Sequence, residues 1–490
     1  MRSSSSLLIS ILSIFINVSC IPRNKITSQE LDFEIPEEWS FPIHSDGGRT
    51  VDWSAYFNNH FLDTFLIKVK EQSPDLIALL ENQKISYNNA KIAGANIFPS
   101  ISTSINKSES VQNLSAFGFA DSFLPPSNTD TSSSASNTAS EVISFENKTY
   151  GLGINYQWEI DIWGRLLNER RAAKTDYEAI NHDLSYIGFS LLVRSAILYF
   201  QCVEAAAQVS LSEESYESLI EIRDLVKKRY EKGLRSSLDY RLSETSVSTA
   251  IIENESRKNQ LSFISRQLQI ILGEYPSGKF IKENQLPDNL PDIPNVVPAS
   301  ILKSRPDIYS LLLKIEASGY RIAQAKRNLL PGIFLSGTVG TSTKNYEDIL
   351  DEDFGIWNLG LSLSAPLFNG NRLRSNVKIQ EASFEKSKQD LKKALLQAFS
   401  EVEQLLQIDR SLIIQINAIK FAVEQSKDAY DLSKERYDKG ITTLESVLNS
   451  QRQYNSIRSQ NLILQRQSIE NRLKLFLAIG GSLDFDSKNK

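Results

Sequence analysis

Four stretches of the chain alternate apolar and polar residues with a period of two. In the first, Ile97, Pro99, Ile101, Thr103 and Ile105 alternate with Ser100, Ser102, Ser104 and Asn106. In the second, Tyr150, Leu152, Ile154, Tyr156, Trp158 and Ile160 share one face, and Gly151, Gly153, Asn155, Gln157 and Glu159 the other. The third sets Ile333, Leu335, Gly337 and Val339 against Phe334, Ser336, Thr338 and Gly340. The fourth sets Trp357, Leu359, Leu361, Leu363 and Ala365 against Asn358, Gly360, Ser362 and Ser364. A period of two predicts strands with one apolar and one polar face. Strands of about ten residues with aromatics near their ends fit a membrane barrel, where lipid touches one face and water the other. A soluble sheet packed on helices is the competing arrangement.

The remaining pattern is helical. Residues 61–95 read as helix. Residues 165–231 contain no proline and one internal glycine, Gly188, and residues 372–439 contain neither. At 1.5 Å per residue each predicts a helix roughly 100 Å long. In the second, Leu391, Leu395, Ala398, Val402, Leu405, Asp409, Leu412, Ile416, Ile419 and Val423 alternate spacings of four and three. That is a heptad seam with one polar break, which predicts a left-handed coiled coil. Each long helix ends near a glycine suited to a tight turn, and return helices are expected over about 237–273 and 443–479. A Ser/Thr/Asn-rich stretch, 106–148, reads as a long polar loop. The corresponding loop of the second half is short and acidic, with Glu347, Asp348, Asp351, Glu352 and Asp353.

These elements occur twice in one order. Arg229-Tyr230-Glu231-Lys232-Gly233 returns as Arg436-Tyr437-Asp438-Lys439-Gly440, 207 residues later. Asn96-Ile97-Phe98-Pro99 returns as Asn328-Leu329-Leu330-Pro331, offset by 232 because the two loops differ in length. Each half is therefore a copy of one structural unit. Four membrane strands cannot close a barrel, which needs about eight. If the strands are in lipid, the chain must assemble with copies of itself.

Composition narrows the function. The net charge of −5 argues against a partner that is nucleic acid, which calls for a clustered basic surface. His44, His60 and His182 have no metal-ligand spacing, and no nucleophile–base pair or phosphate-cradling loop is found, so neither a metal, another cofactor nor an enzymatic activity is expected. Asp161 and Asp307 sit beside helix starts, where capping accounts for them. After residue 20 no uninterrupted apolar run reaches the roughly 20 residues of a transmembrane helix. Before it, Arg2, the apolar run Leu7–Ile16 and Asn17-Val18-Ser19-Cys20 have the layout of a signal peptide. Cysteine at the cut resembles a bacterial lipobox, although Asn17 stands where leucine is usual. Cys20 is then the lipid anchor of the mature chain, with plain signal cleavage as the alternative. Cys202, in an apolar helical stretch, reads as a buried small hydrophobe.

Several short motifs carry a family resemblance. They are Tyr156-x-Trp158-Glu159-Ile160-Asp161-Ile162-Trp163-Gly164-Arg165, Arg305-Pro306-Asp307-Ile308, Asn328-Leu329-Leu330-Pro331, Ala365-Pro366-Leu367-Phe368-Asn369-Gly370 and the two glycine turns. In this order, over roughly residues 60–481, the chain resembles a TolC-type outer-membrane efflux channel, in particular the lipoprotein subgroup with OprM and NodT relatives. The resemblance implies an α+β membrane protein. It would be a homotrimer with a twelve-strand barrel, four strands per chain, continued by a long helical coiled-coil tunnel. It implies a passive exit duct in the outer membrane of a diderm bacterium, reaching into the periplasm. The duct would be joined by a periplasmic adaptor to an inner-membrane pump.

On that reading residues 1–19 are the signal peptide and 20–60 a lipidated equatorial segment. Residues 61–275 form the first repeat, with barrel hairpin 97–160 and helical hairpin 164–273. Residues 276–298 form an equatorial linker. Residues 299–481 form the second repeat, with barrel hairpin 332–367 and helical hairpin 371–479, and 482–490 the tail. The resemblance further implies that the helix–helix turns form an adaptor-docking tip: Arg229, Tyr230, Gly233, Leu238 and Asp239, with Arg436, Tyr437, Gly440 and Leu444. Plain helix capping is the alternative role. Relatives often place a carboxylate ring just past the second turn; here Ser446 and Asn449 stand at those positions, with Glu445 beside them. Glu445 is a candidate gate residue or a solvated helix residue. The competing function is a lipid-anchored periplasmic scaffold or binding protein without a pore.

Overall fold

The computed structural model describes residues 36, 38–40, 57, 59–113, 144–279, 285–287, 290 and 304–480. The expected signal peptide, Cys20, most of the proline-rich linker and the tail 482–490 lie outside the described residues. The elements, in order, are α1 (His60–Gln72), α2 (Pro74–Ala95), β1 (Ser100–Asn113), β2 (Ser144–Ile160), α3 (Arg165–Glu231), α4 (Ser237–Ile271), α5 (Pro306–Arg327), β3 (Gly332–Thr343), β4 (Gly355–Ser364), α6 (Arg372–Asp438) and α7 (Leu444–Ile479). The long helices match their expected bounds within two residues. The helix expected over 61–95 is instead two helices. Pro74 has no N–H to continue α1, and it opens α2 as a first-turn proline.

The chain divides into two compact units, one built from residues 85–177 and 315–385 and the other from the rest. The first contains the sheet. Its strands pair antiparallel in the order β1-β2-β3-β4. The register sets Ile101 opposite Tyr156, Ile105 opposite Leu152, Ile154 opposite Val339, Leu335 opposite Leu361 and Val339 opposite Trp357. All the apolar sets read from the sequence therefore share one face. Leu359, Leu361 and Leu363 are about 70 % exposed on it, an arrangement costly in water and natural in lipid. Serines, threonines, asparagines and glycines share the opposite face. There Asn155 bridges three strands: its amide nitrogen donates to Ser104 Oγ (3.1 Å) and its carbonyl accepts from Thr338 Oγ1 (3.0 Å).

The polar loop expected from residue 106 starts later. Strand β1 runs on to Asn113 and β2 begins at Ser144. Beyond the Lys107–Tyr150 pair the outward positions include Glu109, Lys148 and Glu146 beside Val111, with Lys107 bound to Glu109 and Lys148 to Glu146, each at 3.2 Å. Polar residues on both faces hide a strand from a periodicity reading, because alternation marks only the part with an apolar side.

The second unit is helical. Its core joins Leu62, Phe65 and Val69 of α1 to Leu192, Tyr199 and Phe200 of α3, Leu268 of α4 and Leu473 of α7. Phe65 stacks on Tyr199 at 5.6 Å. Helix α3 also contains an 18-residue window apolar enough for a membrane, of which 56 % is buried inside the protein. The sequence reading, based on uninterrupted apolar runs, did not find it; its burial fits a core helix. The α6 seam is buried from Leu391 through Leu412. Its polar break, Asp409, accepts from Arg472 of α7 at 2.9 Å in a buried pair. Arg305 is buried too, held by Asp307 (2.8 Å), Glu401 (2.8 Å), the Ala478 carbonyl (3.3 Å) and the Tyr186 hydroxyl (3.0 Å). Burial pushes the Tyr186 pKa up to about 12. Asp161 does cap α3, accepting from the Leu167 N–H at 2.7 Å. The Asp307 carboxylate is engaged by Arg305 rather than in the expected helix cap.

Two outcomes are expected. A Cβ at Gly340 would lie 2.0 Å from the Leu152 carbonyl oxygen, so Gly340→Ala should lower the thermal midpoint of the purified chain sharply. At Gly360 the nearest atom would be 3.6 Å away, and Gly360→Ala should leave it nearly unchanged. Removing one partner of the buried pair, as in Asp409→Leu, should cost about 3–5 kcal/mol by thermal melting in detergent. The double change with Arg472→Leu should recover most of that loss.

Candidate functional site

The two helix–helix turns are built alike. In the first, Gly233 takes φ +73°, its N–H donates to the Tyr230 carbonyl (2.8 Å), and the Leu234 N–H donates to the Arg229 carbonyl (2.8 Å). In the second, Gly440 takes φ +73°, with its N–H on Tyr437 (3.0 Å) and that of Ile441 on Arg436 (2.9 Å). This crossed pair satisfies the last helical carbonyls and needs the left-handed backbone that glycine supplies. Three residues on, Ser236 and Thr443 cap the return helices by accepting from the N–H groups of Asp239 (3.1 Å) and Ser446 (3.3 Å). The repeat is thus structural down to individual hydrogen bonds.

The two tyrosines of the motif part company. Tyr230 is partly exposed and stacks on Tyr240, with ring centroids 5.4 Å apart. Tyr437 is buried, 3 % exposed, among Ile222, Val226, Leu444 and Val447. Arg235 lies over its ring at 4.3 Å and Arg229 at 5.6 Å. Arg235 also donates to the Tyr437 carbonyl (3.3 Å), and Arg229 to Asp438 (3.3 Å), tying the first turn to the second. Among the described residues no hydrogen bond of ordinary geometry reaches the Tyr437 hydroxyl; burial pushes its pKa up, against the nearby Arg235 and Arg229.

Of the residues singled out from the sequence, Gly233, Gly440, Arg229, Tyr230, Leu238, Asp239 and Arg436 lie at or beside the turns, at least partly exposed. Tyr437 and Leu444 are enclosed within the chain and support the turns from inside. Leu234 and Ile441 were missed. They are 69 % and 68 % exposed and, with Leu238 at 65 %, give the turns an apolar surface. Their signal was their place, directly after each turn glycine. Glu445 is exposed in the first turn of α7. Ser446 is capped by Thr443, and the Asn449 amide oxygen accepts from Arg452.

An amphipathic four-strand sheet, paired long helical hairpins and two apolar turns describe a transport architecture. The sequence profile of the outer membrane efflux proteins matches residues 66–274 and 297–481. The chain belongs to the outer membrane efflux protein family. It is an outer-membrane exit duct of an efflux system, and its family is one of transport channels and not of enzymes. It is 24 % identical over 485 residues to a pyoverdine export outer membrane protein, OpmQ, of Pseudomonas putida, covering 97 % of this chain and 98 % of that one. It is 26 % identical over 335 residues to the probable efflux pump outer membrane protein SepC of Pseudomonas putida, covering 68 % and 70 %. Its fold matches the Campylobacter jejuni CmeC outer membrane channel with a TM-score of 0.78 at 20 % identity, covering 96 % of each chain.

Replacing either turn glycine by alanine should cost about 1–2 kcal/mol through the left-handed backbone alone, since nothing lies within 4 Å of an added Cβ. Tyr437→Phe should leave the thermal midpoint nearly unchanged. Tyr437→Ala should lower stability by about 3–5 kcal/mol, whereas Tyr230→Ala, at a half-exposed ring, should cost far less.

Proposed function

We propose that three copies of this chain form a twelve-strand barrel continued by a periplasmic tunnel of α3, α4, α6 and α7. Four strands, one face apolar and the other polar, end in two unpaired edges, and this observation carries the proposal. Two copies would give eight strands, a number whose interior side chains fill. Twelve leave room for water, and glycines and serines on the polar face suit a wet lumen. The duct is passive and has no enzymatic activity; an inner-membrane pump supplies the energy through a periplasmic adaptor. Leu234, Leu238 and Ile441, framed by Arg229, Tyr230, Asp239 and Arg436, form the adaptor-docking surface. Large exposed apolar side chains beside arginine and tyrosine are the usual anchors of such contacts. Cys20 carries the lipid anchor, and the segment up to residue 60 and the linker 276–298 form the equatorial region.

Relatives named for toluene, pyoverdine and cation efflux share this scaffold. That range supports leaving cargo choice to the pump. Glu445, repeated three times around the axis, would favour cations at the tip, since like charges in a narrow pore focus the potential.

Planar-bilayer recordings of the reconstituted full chain test the pore. Discrete conductance is expected, with Glu445→Gln lowering the cation-to-anion permeability ratio; unchanged selectivity would remove Glu445 from the gate. Changing Leu234, Leu238 and Ile441 together to serine should leave the oligomer intact and weaken its co-purification with adaptor and pump. Undiminished co-purification would move the docking surface elsewhere.

A further inference from the structure

The geometry points to a seat for a small oxyanion, a phosphate or carboxylate group on a solute in the duct, at Arg327 where the sheet meets α3 and α5. A cavity of about 230 Å³ opens there, lined by Glu159, Asp161, Trp163, Arg165, Arg327 and Phe334 among others. That volume holds a charged group and falls below the roughly 300–1,000 Å³ of sites for whole drug-sized ligands. Glu159 and Phe334 belong to the polar face of the sheet. The assignment to a solute, not a lipid, rests on reading that face as the duct wall.

The charges inside the cavity balance, Glu159 and Asp161 against Arg165 and Arg327, and Arg327 is the group whose end is left without a contact. Glu159 is occupied by Arg165, which donates to both its oxygens at 2.9 and 2.5 Å. Asp161 accepts from the Leu167 N–H. Arg327 donates from Nε to the Trp163 carbonyl at 2.6 Å. Its two terminal nitrogens reach no acceptor among the described residues, and no carboxylate lies within ion-pair distance of them. Arg305, Arg321, Arg458, Arg466 and Arg472 each hold a carboxylate, whereas Arg327, like Arg171 and Arg266, does not among the described residues. Carboxylate partners raise the pKa of Arg305 and Arg458, whereas at Arg327 burial outweighs the upward pull of the Asp161 carboxylate and lowers it. A guanidinium fixed at Nε and open at both Nη atoms is a ready fork for a bidentate oxyanion.

The repeat supplies an independent argument. By the two offsets, Arg327 corresponds to Ala95 and Trp163 to Gly370 in the other copies. Even the left-handed residue is matched, Gly164 (φ 74°) by Asn371 (φ 63°). A similar left-handed turn forms in the other copy without the arginine or the tryptophan; here Trp163 donates from Nε1 to the Pro331 carbonyl at 2.7 Å. Glu159 and Phe334 lie on β2 and β3, the two inner strands, while Ser364 at the end of the edge strand β4 also lines the cavity.

The probe is tungstate, a heavy tetrahedral stand-in for phosphate, with the full chain in detergent. Crystals soaked in tungstate should show an anomalous peak within hydrogen-bond distance of the Arg327 Nη atoms. In calorimetric titration, inorganic phosphate should displace it, and Arg327→Gln should weaken binding at least tenfold. Arg327→Lys, which keeps the charge and loses the fork, should fall between. A peak elsewhere, no peak, or unchanged affinity in Arg327→Gln overturns the proposal. Displacement by short-chain phosphatidylglycerol but not by inorganic phosphate also overturns it, by assigning the seat to a lipid. If Arg327→Gln fails to assemble, the peak position in the unaltered protein still decides. None of these readouts needs an open pore, so a failed seat and a failed channel are told apart.

Discussion

In lipid, a backbone N–H or C=O without a partner costs several kcal/mol. Strands β1 and β4 end the sheet of a single chain, so each presents one such row. Everything else in the sheet is already suited to a bilayer: an apolar outer face, a polar inner face and ladder bonds between neighbours. Among the described residues the two sheet edges are left unpaired, and no described strand of the same chain pairs them. In the proposed trimer, joining β4 of one copy to β1 of the next would pair both rows at once, and repetition would close the ring. On that reading assembly is a condition of the membrane fold itself.

How much of this could be read from residues depended on which physical signal each feature leaves. The inner parts of all four strands were legible because lipid enforces alternation. The outer part of β1, from Lys107 to Asn113, was not, since water on both sides enforces none. The long helices were legible from the absence of proline and the heptad seam, and Asp409 stood out as its polar break. Its partner Arg472 did not, being 63 residues away with no spacing rule to connect them. At the turns, the glycines were plain from sequence, whereas the caps Ser236 and Thr443 were not picked out. The split between Tyr230 and Tyr437 was invisible, because both sit in the same five-residue motif. Only tertiary packing, with Arg235 and Arg229 over one ring, separates them.

Duplication explains the economy of the chain, and its departures mark where the copies took on separate work. The second turn is the packed one, with Tyr437 and Leu444 inside it. The first offers Tyr230, Leu234 and Leu238 outward. At the sheet, Trp163 and Arg327 have no counterparts in the other copies, while the glycine turn that opens α3 does. A scaffold shared by both halves thus carries asymmetric surfaces, as a duct made of repeats needs if its wall and its ends are to differ.

The closure of the edges is most directly tested by disulfide trapping across them. Cysteine is placed outward in β1, as Thr103→Cys, Ile105→Cys or Lys107→Cys in turn, together with Leu361→Cys in β4. After oxidation in isolated outer membranes, the account predicts that at least one pair yields a covalent species of three chains that collapses to monomer on reduction. Cross-linked species that stop at two chains, or no cross-link from any pair, would contradict it.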